Sequence, residues 1–419
     1  MIGISKLYCG QAEASDALRY GRKSGSLPSH LLQFSEDKKP VLVWNMTRRC
    51  NLRCRHCYAQ ARGKNGTDAI STAQGEAIIE DLAAYGVPVI LFSGGEPLVR
   101  EDLPHLAAYA VSKGMRAVIS TNGTLLTREK ARELKAVGLS YVGISLDGGR
   151  ETHDRFRGVD GAFDQALAGI ACCQEAGLKV GLRFTVNRRN AAEIPLIFDL
   201  LREREIPRVC FYHLVYSGRG SSLIGEDLDH AATRALLDDI MDRTRALFDQ
   251  GCPREVLTVD NHADGPYVWL RLLREDARRA GEVLRLLRFN EGNSSGRGIG
   301  CISWDGRVHA DQFWRNHAFG NVLERPFSAI WDDPRIPLLS RLKDKRPHLR
   351  GRCPRCRFLD ICGGNFRARA EACHGDVWAQ DPACYLTEDE IAAEGAASGN
   401  GRGDGGASGA GQERGGKGR

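Results

Sequence analysis

Short apolar runs bounded by turn residues recur along the first half of this chain, and longer amphipathic stretches separate them. The runs fall at 41–45, 88–92, 116–120, 141–145, 179–186 and 208–214. Each is too short for a helix and rich in Val, Ile, Leu and Phe, so each reads as a strand. Helical periodicity occupies 71–85, 103–113, 127–136, 163–176 and 191–204, and 228–248 completes a sixth unit. Ser71 stands three residues before Gln74 at the start of the first helix, the spacing of a reciprocal cap. Continuous apolar strands alternating with helices predict a parallel sheet covered on both faces. Six such units predict an α/β fold, an open partial (β/α)6 barrel of the TIM type.

The polar positions favour the barrel over a doubly wound sheet, because they collect where the strands end, and barrel sites lie at strand C-termini. The second strand ends in Ser93-Gly94-Gly95-Glu96-Pro97 and the third in Ser120-Thr121-Asn122-Gly123. The fourth ends in Ser145-Leu146-Asp147-Gly148, the fifth carries Arg183, Thr185 and Asn187, and the sixth Tyr212 and His213. One Gly-Gly loop says little. Polar groups repeated at the same end of successive strands converge on one mouth.

Outside this unit, residues 1–40 form an N-terminal extension with Cys9, too short to fold alone. Cys9 reads as a lone thiol, as a ligand or as a gate to the site. Residues 251–300 read as a connecting helical region, with an Arg-rich helix at 268–287 whose charges suit a solvated face. A second module covers 301–392. The segment 393–419 is Gly-rich with almost no apolar bulk and is expected to be disordered.

Composition alters the picture mainly through cysteine. The 419 residues include 14 cysteines. No basic-then-apolar leader opens the chain and no run is long and apolar enough to span a bilayer, so a cytoplasmic protein with cysteines as metal ligands is expected. The net charge of +6 is modest; its basic residues are dispersed without interleaved aromatics, which argues against nucleic-acid binding.

Cys50, Cys54 and Cys57 follow the first strand in C-x3-C-x2-C spacing. Three thiolates can hold three corners of a [4Fe–4S] cube and leave one iron open for a cosubstrate. A zinc knuckle fits worse: paired C-x2-C spacing is missing, no fourth cysteine is near, and His56 beside Cys57 would point elsewhere. Cys353, Cys356 and Cys362 in C-x2-C-x5-C spacing, with Cys384 beyond, can close a second cube; a four-cysteine zinc ribbon is the alternative.

The three-cysteine loop with Tyr58 after it, together with Gly94-Gly95-Glu96-Pro97, resembles the radical S-adenosylmethionine (SAM) enzymes. That resemblance implies SAM chelated to the open iron and a 5′-deoxyadenosyl radical as oxidant. It places Gly94, Gly95, Glu96 and Pro97 at the SAM amino group, and Ser120, Asn122, Ser145 and Asp147 at other parts of SAM. Arg183 suits the SAM carboxylate, since a guanidinium can clamp it bidentately; a rim salt bridge is the competing role. Helix capping competes for Ser145 and Asp147.

The segment from Cys301-Ile-Ser-Trp-Asp305-Gly306-Arg-Val308 resembles a SPASM extension, which can carry two auxiliary clusters. Here His309-Ala310-Asp311 and Phe366 stand where two further cysteines are expected. One auxiliary [4Fe–4S] cluster follows, on Cys353, Cys356, Cys362 and Cys384, with Cys301 and Cys373 left over as possible substitutes. Ile4-Ser-Lys-Leu-Tyr-Cys9-Gly, Val43-Trp-Asn-Met-Thr-Arg-Arg-Cys50 and Phe211-Tyr-His-Leu-Val-Tyr216 are similar to the tetrapyrrole-modifying branch, above all to its siroheme-derivative deacetylases. Siblings in heme d1 synthesis and terminal heme synthesis share the plan. The resemblance implies an iron tetrapyrrole substrate, a role in heme biosynthesis, and an electron donor such as flavodoxin or ferredoxin. Two rivals remain: a SPASM-type peptide maturase, for which 1–40 offers little room to recognise a peptide, and a non-enzymatic iron–sulfur carrier, which would not need the strand-end motifs.

Overall fold

The computed structural model describes residues 1–13, 16–20, 39–61, 63 and 68–392. The tail expected to be disordered lies outside the described residues. The six sequence-derived strands are present as β2 (Val41–Asn45), β3 (Val89–Ser93), β4 (Arg116–Thr121), β5 (Tyr141–Ser145), β6 (Val180–Thr185) and β7 (Arg208–Tyr212). They pair in sequence order, all parallel. Between them run α3 (Thr72–Tyr85), α4 (Leu103–Ser112), α5 (Arg128–Ala136), α7 (Ala162–Glu175) and α8 (Ile194–Glu203), with α9 (His230–Asp249) after β7. The Ser71–Gln74 cap forms in both directions, each side chain accepting from the other's backbone N–H. Trp44, Phe92, Ile119 and Ile144 are wholly buried under these helices, as a doubly covered sheet requires.

The sheet is wider than six strands, and this corrects the reading of 251–300 as a helical connection. Glu255–Val259 is a strand, β8, parallel to β7 with Tyr212 opposite Val259. Every residue of it is buried. An acidic first residue disguises it in the sequence; the fold neutralises Glu255 with Arg19 at 3.1 Å and Arg208 at 3.6 Å. The N-terminal extension belongs to the same edge. Ile2–Gly3 (β1) runs antiparallel to β8, and α1 (Ile4–Cys9) is buried throughout against β8 and α9. Cys9 is a buried thiol there, flanked by Arg245 and Arg279. At the opposite edge β9 (Ile299–Ile302) pairs in parallel with β2 and forms a hairpin with β10 (Val308–His309). The order is β1-β8-β7-β6-β5-β4-β3-β2-β9-β10, an open sheet among the described residues.

The expected helix at 268–287 is two helices, α10 (Asp264–Glu275) and α11 (Ala277–Asn290), broken at Asp276, whose side chain caps the second through Arg279 N at 3.0 Å. Their arginines are not simply solvated. Arg271 bonds Asp238, Asp242 and Glu275, and Arg279 donates to the carbonyls of Lys6 and Leu7. A helix not foreseen, α6 (Arg150–Arg157), follows β5. It is almost entirely polar, so periodicity gave no signal.

Candidate active site

A cavity opens at the C-terminal ends of the strands, about 1070 Å³ of space counting its open mouth, and Cys50, Cys54 and Cys57 all line it. The cysteine loop is irregular but tightly laced. Gly95 N and Glu96 N donate to Thr47 O and Arg49 O at 2.7 and 2.8 Å. Arg53 N and Arg55 N donate to the carbonyls of Arg157 and Phe156, and Arg219 donates to Cys54 O and Ala61 O.

Each thiol receives a donor. Leu52 N lies 3.4 Å from Cys50 Sγ, Arg157 Nη1 3.6 Å from Cys54 Sγ and Ala61 N 3.4 Å from Cys57 Sγ. Burial, with Glu96 adding to it, pushes the Cys50 thiol up to about 12; burial also raises Cys54. Thiols this disfavoured as free anions ionise when a metal supplies the compensating charge, so the donor set fits an iron–sulfur cube. No three His, Cys, Asp or Glu side chains among the described residues converge tightly enough for a single metal ion. A four-iron cube spreads its thiolates farther apart than one ion does. His56 stacks on Phe156 with ring centres 4.3 Å apart, and burial lowers it to about 3.

Of the residues assigned to SAM, Tyr58, Gly94, Gly95, Ser120, Asn122, Ser145 and Arg183 line the cavity. Tyr58 is held by Asn45 at 3.1 Å and Ser93 at 3.0 Å. Arg183 is engaged by the Tyr212 hydroxyl and ring, not by a rim carboxylate. Three of the assigned residues lie behind that lining. Glu96 is fully buried and does not line the cavity; it accepts from Thr121 Oγ1, Asn122 N and Leu98 N at 2.7, 2.8 and 3.1 Å. Burial outweighs those bonds and raises it to about 7. Pro97 opens a short 3-10 turn behind it. Asp147 is also fully buried, ion-paired to Arg157 and accepting from Thr185 N at 2.8 Å. It neither caps α6 nor lines the cavity. Glu96 and Asp147 therefore brace the loops that face the cavity. Replacing Glu96 with Ala would strand two buried donors, Thr121 Oγ1 and Asn122 N, each worth about 1–3 kcal/mol. The expected result is a loss of SAM affinity of tenfold or more in a variant that still carries its first cluster, read by equilibrium binding.

The second cysteine set also assembles. Cys362 ends α14 (Leu359–Cys362), and its thiol is pushed well up by burial and then by Cys384, Cys353 and Cys356. Phe358 N donates to Cys356 Sγ at 3.4 Å. The two leftover cysteines are elsewhere. Cys301 lies in β9 beside Asn45 Nδ2, 3.4 Å away, and Cys373 is exposed on α15 (Arg367–His374) near Asp381 and Arg369. His309, Asp311 and Phe366, at the missing ligand positions, are all buried.

His213 lines the cavity, with Nε2 hydrogen-bonded to Asp264 Oδ2 at 2.9 Å. Arg157, Arg219, Asp260, Gln312 and Phe313 also line the cavity and were not singled out in the sequence. Asp260 follows β8 as the other polar groups follow their strands, so the same rule would have found it had β8 been recognised. Arg157 and Phe313 sit on a polar helix and a loop and carried no signal.

Fold and site together define a radical SAM enzyme with a SPASM iron–sulfur module. The radical SAM superfamily signature matches residues 44–201 and the SPASM iron–sulfur cluster-binding domain residues 295–357. Fe-coproporphyrin III synthase of Methanosarcina barkeri is 65% identical over 93% of this chain and 99% of that protein. Pre-heme d1 synthase of Dinoroseobacter shibae is 41% identical over 84% and 87%, and AdoMet-dependent heme synthase of M. barkeri 31% over 82% and 95%. The chain belongs to the radical SAM superfamily, in the SPASM-bearing family that contains these three enzymes. Its cofactors are SAM and [4Fe–4S] clusters. Solved structures share the fold: native anSMEcpe with bound AdoMet (TM-score 0.64, 18% identity, 82% of this chain and 93% of that one) and Streptococcus suis SuiB bound to its precursor peptide SuiA (0.66, 19%, 83% and 76%). No helix among the described residues is long and apolar enough to cross a membrane.

Proposed function

We propose that this chain removes two acetate side chains from 12,18-didecarboxysiroheme to give Fe-coproporphyrin III. The observation that carries this reading is the 65% identity to Fe-coproporphyrin III synthase along nearly the whole of both chains, against 41% and 31% for the siblings. Cys50, Cys54 and Cys57 hold the SAM-binding cluster, and Cys353, Cys356, Cys362 and Cys384 the auxiliary one. The backbone of Gly94 and Gly95 receives the SAM amino group, and Arg183 its carboxylate. Bound together, cluster and SAM supply a 5′-deoxyadenosyl radical that takes hydrogen from a saturated ring carbon. The cavity walls hold the macrocycle against that radical and keep water away. A flavodoxin- or ferredoxin-type protein supplies electrons.

Anaerobic turnover of the reconstituted protein with SAM, a reductant and didecarboxysiroheme tests the proposal by mass spectrometry. Fe-coproporphyrin with 5′-deoxyadenosine is expected. 5′-Deoxyadenosine with unchanged tetrapyrrole would move the substrate to a sibling pathway. The auxiliary cluster is closed by four thiolates and so serves as an electron relay. Accordingly, Cys356→Ala should keep SAM cleavage while acetate release stalls; full turnover by that variant would remove the relay role.

A further inference from the structure

Asp260 stands one residue past β8, in the same cavity wall as Cys50, Cys54 and Cys57. It is 8% exposed, and its Oδ2 has no hydrogen-bond partner among the described residues. A buried carboxylate oxygen left unpaired is costly unless a ligand or a proton satisfies it. Its backbone is held at φ 69°, the left-handed region that costs a side chain energy. The surroundings enforce that conformation: Arg369 Nη2 donates to Asp260 O at 2.7 Å, and His262 N to Asn365 Oδ1 at 2.7 Å. Burial, then the charge of Asp311, raises its carboxyl to about 7, while the N-terminal ammonium, Arg369 and His213 pull the other way. The group can therefore carry a proton near neutral pH.

Resting on the deacetylation reading, we propose that Asp260 is the acid that protonates the departing carboxymethyl group of the tetrapyrrole. After hydrogen is lost from the neighbouring ring carbon, the bond between ring and acetate methylene breaks homolytically. The ring gains a double bond and a carboxymethyl radical leaves. That radical needs one electron, from a low-potential iron–sulfur donor, and one proton to become acetate. Adding the electron alone would place a carbanion beside a carboxylate in a low-dielectric cavity, so the proton must arrive with it. Asp260 delivers its proton to the methylene carbon, forming the new C–H bond, and its carboxylate is reprotonated from solvent.

Asp260→Asn is the test variant, because Asn keeps the shape and tolerates the left-handed backbone. In the loaded enzyme it should form 5′-deoxyadenosine in the first turnover at close to the wild-type rate and bind the tetrapyrrole with the same absorption shift. Acetate release should fall about 100-fold, the scale of lost acid catalysis, and a nitrone spin trap should capture a carboxymethyl adduct that wild type does not give. Asp260→Glu should recover part of the rate. Acetate at the wild-type rate from Asp260→Asn would overturn the assignment, as would parallel loss of tetrapyrrole binding or SAM cleavage. If wild type itself releases no acetate, the deacetylation reading falls first, a result distinct from either.

Discussion

Gly95→Ala is expected to abolish SAM cleavage without unfolding the barrel. A Cβ on Gly95 would lie 2.2 Å from Arg49 O and 2.9 Å from Arg49 C. These are backbone atoms one residue before Cys50, with no flexible side chain to yield. The two backbone bonds from Gly95 and Glu96 to Thr47 and Arg49 would break as the loops part, and Cys50 would move with them. The strands themselves are untouched, because the clash lies in two loops at their ends. The purified variant should keep its secondary structure, lose about half of its iron as one of two cubes is lost, and form no 5′-deoxyadenosine. Full iron loading with normal SAM cleavage in Gly95→Ala would show that the loops can separate cheaply and that the close approach is not required.

Arg369→Met should cost about 3–5 kcal/mol of stability, the scale for breaking a buried ion pair. The Arg369 and Asp381 side chains are both 0% exposed and meet through two bonds of 2.8 Å. Arg369 also reaches Leu214 O at 2.9 Å and Asp260 O at 2.7 Å, so one guanidinium ties the C-terminal module to the ends of two barrel strands. Asp381 in turn accepts from Phe366 N and Ala383 N, beside Cys384. Methionine fills similar space but leaves the carboxylate buried and unpaired. Burial by itself would raise the Asp381 carboxyl, and Arg369 holds it below its usual value instead. That contribution is present above the unfolded carboxylate range and is lost as pH falls through the depressed folded value. Denaturant unfolding of the holoprotein should show the loss. Removing the charge as well, in Arg369→Met with Asp381→Leu, should return part of it. A single variant as stable as wild type would mean that water relieves the orphaned carboxylate.

The auxiliary module has a second consequence for the active site. Asn365, at φ 59°, accepts from His262 N and donates to Asn261 Oδ1 at 2.8 Å, while Asn261 reaches Ala383 O at 3.0 Å. The loop that carries Asp260 is thus shaped by residues more than a hundred positions later. An enzyme stripped of its auxiliary cluster can lose chemistry through this loop as well as through electron transfer. The Cys356→Ala experiment therefore needs the 5′-deoxyadenosine readout, which reports the first cluster independently.

Six strands, their helices and the cap at Ser71 were legible because each rests on local forces: alternation of apolar runs, turn residues and a side chain within reach of its own helix. The presence of iron–sulfur clusters was legible because the number and spacing of cysteines follow from cluster chemistry. The roles within Gly94-Gly95-Glu96-Pro97 were only half legible. The motif marks the loop, yet the glycines face the cavity and the glutamate turns inward to Thr121 and Asn122. A carboxylate in a sequence does not say whether charge or buried donors claim it. β8 was hidden because Glu255 reads as polar until Arg19 and Arg208, distant along the chain, neutralise it. The sequence by itself determined the six-unit parallel core and the metal chemistry, since both follow from periodicity and from ligands close in the chain. Only the tertiary structure decided which polar residues face the cavity, which brace it, and that Asp260 stands there with an unpaired oxygen, because burial and pairing arise from long-range contacts that no local pattern encodes.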